Sequence, residues 1–176
     1  MTLIVRTIPL LALVLLSACF MSQTPRIETG TLLAEGPVIF CPSDEDDCQT
    51  GEIEGDGYRV PSDNPDEEDV RLRFEPLVEA NGVQIYLGEA ELRDEDTSTW
   101  TYLVARPAAG APDGLPRFEI MMPGCNDLDS SVREQYGIVR ADSYTCTVDD
   151  LGAFRTYLTD NYLDKFANSD WWDEVN

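Results

Sequence analysis

The chain has 176 residues, of which 34 are acidic and 12 basic, giving a formal net charge of -22, and it contains no histidine. A body this acidic is repelled by nucleic acid and by anionic lipid surfaces. The missing histidines exclude Ser-His-Asp and Cys-His catalysis and any histidine-containing zinc site; no metal and no cofactor are expected.

At the N-terminus a short start carries one cation, Arg6, followed by an apolar run from Ile8 to Leu16 and then Leu16-Ser17-Ala18-Cys19. This three-part pattern predicts a signal peptide over residues 1–18. Its apolar core is far shorter than the ~20 residues a membrane-spanning helix needs, and no later segment comes closer. A leucine three residues before a cysteine, with small residues between, resembles the lipobox of bacterial lipoproteins. The resemblance covers only the first 19 or so residues and implies cleavage before Cys19, lipidation of its thiol and attachment to a membrane through the acyl chains. By the same resemblance Phe20 is not the aspartate that retains such proteins in the inner membrane of enteric bacteria, which implies an outer-membrane protein facing the periplasm. Multiple acyl chains suit stable anchoring better than one.

From Phe20 to about Thr29 the composition is polar and aperiodic, so residues 19–30 are expected to form a lipidated tether and residues 31–176 one acidic domain. Thr31 to Cys41 reads as a strand broken at Gly36-Pro37, and Pro42 to Asp69 as acidic loops. Val70, Leu72 and Phe74 alternate with Arg71, Arg73 and Glu75, the period of a half-buried strand. Asn81-Gly82 is a turn dipeptide. Beyond it Val83, Ile85 and Leu87 alternate until the phase slips at Gly88, which predicts a bulge there. Thr99 to Arg106 and Arg117 to Met122 are further strands, separated by a Pro- and Gly-rich loop. Short polar connections between strands predict an antiparallel meander.

Asp129 to Tyr136 is expected to form two helical turns ending at Gly137, and Ile138 to Arg140 and Tyr144 to Val148 short strands. After a capping start at Asp149-Asp150, Leu151, Phe154, Leu158, Tyr162 and Phe166 recur at steps of three or four, which predicts an amphipathic helix. The expected fold is therefore α+β: an antiparallel meander sheet carrying a C-terminal helix on one face, pinned by two disulfides. Four cysteines remain beside Cys19, and an even count in an exported chain reads as disulfides. Of the three possible pairings the local one, Cys41 with Cys48 and Cys125 with Cys146, closes two short turn-rich loops.

Candidate chemistry is sparse. The only lysine, Lys165, sits near the end of the last predicted helix, where it complements the helix dipole more simply than it serves a Ser-Lys hydrolase. Asp44, Glu45, Asp46 and Asp47 lie in the small disulfide loop and could offer oxygens to calcium, but they fail the EF-hand spacing and read better as a solvated loop. Arg71, Arg73, Arg106 and Arg117 are expected to pair with Glu75, Glu89, Glu91 and Glu119 rather than to form an anion site. Trp171 and Trp172 stand together among acids near the C-terminus. They are the candidate partner contacts if exposed, and core residues if the end folds back under the last helix. The expectation is a non-catalytic binding or structural lipoprotein, with an envelope protein as its possible partner. The alternatives are a carboxylate-dependent hydrolase acting on cell-wall glycan, for which Glu119 is one candidate, and an inhibitor of foreign enzymes.

Overall fold

The structure is a computed structural model and describes residues 20–42, 48–62, 64, 68–94, 97–110, 114–126 and 128–173. Cys19, the signal peptide and the acidic run 44–47 lie outside the described residues. Ten strands follow in chain order: β1 (Phe20–Ser22), β2 (Val38–Cys41), β3 (Gln49–Glu54), β4 (Gly57–Val60), β5 (Val70–Ala80), β6 (Val83–Asp94), β7 (Thr97–Ala108), β8 (Arg117–Met121), β9 (Ile138–Arg140) and β10 (Cys146–Val148). Among the described residues three helices accompany them: α1 (Ser130–Tyr136), α2 (Leu151–Phe166) and the single turn α3 (Ser169–Trp172).

The sheet is not an open meander. Strands β2 to β6 run antiparallel in sequence, β6 pairs with β7, β7 with β8, and β8 returns to β2 in parallel, so seven strands close into a barrel. Alternation along a strand is the same in an open sheet and in a closed one, which is why the sequence pattern did not distinguish them. β1, β10 and β9 form an annex on β7: β1 pairs with Thr101 and Trp100 of β7 and runs parallel to β10.

Two apolar layers result. Inside the barrel, Phe40, Tyr58, Leu72, Phe74, Leu103 and Phe118 fill the lumen, with the Phe40 and Phe74 rings stacked at 5.5 Å. Outside it, Ile85, Leu87, Tyr102 and Val104 face Phe154, Tyr157 and Leu158 of α2. The helix runs as the spacing predicts, and the Asp150 side chain caps it by accepting from the Ala153 amide at 3.0 Å. Arg155 of α2 forms an ion pair with Glu75 and donates to the Pro76 carbonyl, tying the helix to β5. Both local disulfides, Cys41–Cys48 and Cys125–Cys146, are formed.

The bulge lies elsewhere than expected. β6 keeps continuous register with β7 through Gly88, while β5 shifts register between Pro76 and Val78. That extra residue turns the end of β5 over: Leu72 and Phe74 point into the lumen, but Ala80 joins the outer layer under α2. Gly88 serves packing instead. A Cβ built there would stand 2.6 Å from Leu103 Cδ1 and 2.7 Å from Phe74 Cε1, so only glycine leaves room for these two side chains, which flank it on β7 and β5.

The lumen leaves a pocket of about 30 Å³ among Phe40, Gln49, Val60, Val70 and Leu103. This is room for ~1–2 waters. Replacing Gly88 with valine is expected to overpack the lumen and lower stability by ~1–3 kcal/mol. The urea midpoint should fall with an unchanged m-value; an unmoved midpoint would contradict the packing described.

Candidate functional site

The segment expected to be a tether is part of the folded body. Phe20 is fully buried, its ring 4.8 Å from Phe154 and 5.5 Å from Tyr157. Composition made residues 20–29 look solvated because Gln23, Thr24, Glu28 and Thr29 are indeed exposed, while what ties the segment to the body is the buried Phe20, Ser22 and Ile27 and the backbone. Tyr102 donates its hydroxyl to Ser22 Oγ at 3.0 Å, and Ser22 Oγ donates to the Thr24 carbonyl at 2.8 Å. Burial pushes the Tyr102 hydroxyl up to about 12, so it stays a donor at every physiological pH.

The chain then crosses the barrel wall as a strap. The amides of Arg26 and Ile27 both donate to Glu89 Oε2 on β6, at 2.6 and 3.3 Å. Arg73 of β5 donates to the Ile27 carbonyl, and Ile27 itself is buried. Farther on, the Gly30 amide donates to Asp56 Oδ2 at 2.7 Å and the Thr31 amide to the Phe74 carbonyl. At the barrel mouth, the Leu33 and Ala34 amides donate to the Tyr58 hydroxyl at 2.9 and 3.1 Å. Leu33 and Ala34 thus pack against the lumen cluster and close that mouth before the chain enters β2.

Glu89 is the carboxylate on which the strap depends, and it is only 2 % exposed. Burial holds its carboxyl above the ordinary value, while the Arg26 and Ile27 amides and the Arg73 charge pull the other way. A raised carboxyl is what a general acid requires. Here, however, the strap covers the group, so a glycan has no path to it. Glu119, the other acid considered for hydrolysis, accepts from Arg106 at 2.6 Å across the β7–β8 pair.

The outer wall carries a ladder of ion pairs. Arg59 meets Glu52 at 2.7 Å and Asp69 at 3.1 Å; Arg71 meets Glu54 at 2.8 Å and Glu91 at 3.7 Å; Arg73 meets Asp56 at 3.3 Å. Of the pairings expected, Arg71 with Glu91 and Arg106 with Glu119 are present, while Arg73 takes Asp56 and Glu75 is taken by Arg155; being partly solvated, the wall pairs contribute modestly to stability. Among the described residues no group of three or more metal-ligating side chains converges.

The tryptophans at the C-terminus are core residues. Trp171 is 8 % and Trp172 1 % exposed, because α3 folds back under α2. Trp172 donates its indole N–H to the Phe166 carbonyl at 3.2 Å, and the Arg106 guanidinium lies 4.7 Å from the centre of its ring. Two adjacent tryptophans share one core here because a single helical turn at the chain end presents them to neighbouring surfaces, Trp171 to Tyr162 and Phe166, Trp172 to Phe166 and Arg106. As partner contacts they are thereby set aside.

The residues that receive the N-terminal segment, and that composition missed in this role, are Glu89, Tyr58 and Tyr102. A glutamate within the otherwise apolar run Ile85 to Ala90 was the available signal. No family model, curated protein or solved structure matches the chain.

Because folding raises the Glu89 carboxyl above its ordinary value of 4.5, this group favours the folded state below that value, and its contribution is lost as pH rises through the folded-state value. Glu89→Gln keeps an acceptor for both strap amides without a charge. It is expected to be at least as stable as the parent at neutral pH, with the difference closing on acidification. Glu89→Ala leaves two buried amides without an acceptor and should lose ~1–3 kcal/mol. Urea denaturation at neutral and acid pH reads both, and a glutamine variant much weaker than the parent at neutral pH would contradict the assignment.

Proposed function

We propose that this chain is an envelope lipoprotein, acylated on Cys19 and held by its lipid at the outer membrane facing the periplasm, where its barrel acts as a non-catalytic binding or structural module. The observation that carries the reading is the pair of disulfides, because such bonds persist in oxidising compartments such as the bacterial periplasm. Phe20, the residue after the lipobox cysteine, is a fully buried strand residue, so a lipid on Cys19 would sit directly against the folded body. No helix among the described residues is long and apolar enough to cross a membrane, so attachment in this reading rests on the acyl chains.

A binding or structural role accords with a lumen filled by aromatic side chains and with acids engaged by arginines and backbone amides. An envelope protein is the partner proposed, and its contact surface lies away from the buried tryptophan pair. Cys19→Ser is expected to abolish incorporation of a palmitate analogue and to block processing of the precursor. A mature protein beginning elsewhere, with an unmodified Cys19, would overturn the proposal.

A further inference from the structure

We propose that the surface around the start of β1 is a membrane-contacting face, seated directly on a zwitterionic bilayer, with Tyr144 and Val139 of the β9–β10 hairpin as its interfacial side chains. The inference rests on acylation of Cys19 and follows from the absence of spacer sequence after it. Consecutive α-carbons are ~3.8 Å apart, so an acylated Cys19 would bring its lipid within one residue of a side chain buried in the core. Phe20 pairs with Cys146 and Met21 with Thr147, in parallel, so the lipid-bearing end of β1 and the N-terminal end of β10 lie side by side. Tyr144 is two residues before Cys146, hence at most ~8 Å farther along a neighbour that is ~4.8 Å away.

Two independent features of that hairpin fit a lipid surface. Tyr144 at 64 % and Val139 at 54 % are the most exposed large apolar side chains among the described residues, and both stand on the hairpin beside β1. Amphipathic aromatics such as tyrosine collect at the membrane–water interface. The hairpin also escapes the acidity of the chain. Residues 138–148 hold one arginine and one aspartate, and residues 20–27 hold Arg26 and no acid, in a protein of net charge -22. Asp142 turns its carboxylate back onto the Tyr144 and Thr145 amides at 2.7 and 2.8 Å. Arg140 donates to the Asn126, Asp142 and Ser143 carbonyls, which makes the hairpin tip rigid. Residues 20–27 and 138–148 together carry two arginines and one aspartate, so this part of the surface brings no net negative charge to the bilayer.

The test uses the full-length acylated protein, its lipid verified by intact mass, in phosphatidylcholine vesicles whose acyl chains carry bromine. Tyr144→Trp adds an indole to the proposed face, and Ile53→Trp adds one on β3, across the barrel, where the parent residue is 39 % exposed. The emission added by Tyr144→Trp should be largely quenched and that added by Ile53→Trp retained. Equal quenching at the two positions, or none at either, in protein whose mass shows the acyl chains would overturn the membrane face and leave the lipoprotein reading standing. A mass without acyl chains would remove both.

Discussion

The structure depends on β7 being buried on both faces. Leu103 and Ala105 point into the lumen, Tyr102 and Val104 point out to α2, and none of the four is more than 3 % exposed. A strand in this position must satisfy every backbone group from its neighbours, since water reaches neither face. β6 covers one edge from Thr97 to Ala105; the other edge is shared, with β1 taking Trp100 and Thr101 and β8 taking Val104 to Ala108. Closure of the barrel and attachment of the annex are thus two solutions to one requirement along one strand.

The N-terminal segment extends the same logic. Having paired with β7, it crosses the wall and is held in turn by Glu89, Arg73, Asp56 and finally the Tyr58 hydroxyl. The buried Glu89 carboxylate and Tyr58 hydroxyl would be costly left alone under the strap, and the buried Ile27 amide would be costly without Glu89. The outcome is mutual satisfaction rather than a flexible leader, and it is what places the proposed lipid against the folded body. Exposure of acids elsewhere on the barrel then determines which face can meet a bilayer.

Much of this was legible from the residues. The alternation of Val70 to Phe74, the Asn81-Gly82 turn with positive φ at both positions, the left-handed Gly137 ending α1, the capped α2 and both disulfides follow from local rules that tertiary structure did not override. The β3–β4 hairpin did not stand out because acid runs surround it, although Gly55-Asp56 between Glu54 and Gly57 is a two-residue hairpin turn. Closure of the barrel was hidden because its parallel β2–β8 contact joins segments far apart in sequence. The strap was hidden for a different reason: it is held through backbone amides, which every residue but proline carries, so side-chain composition does not report them.

The most direct measurement of the account is amide hydrogen exchange on the native protein, comparing the peptide covering residues 20–27 with that covering 102–105 of β7. If the N-terminal segment is integral to the fold, the Met21, Arg26 and Ile27 region exchanges slowly, with protection approaching that of β7. Exchange as fast as that of an unstructured chain would contradict it, and would return residues 20–27 to the role of a tether.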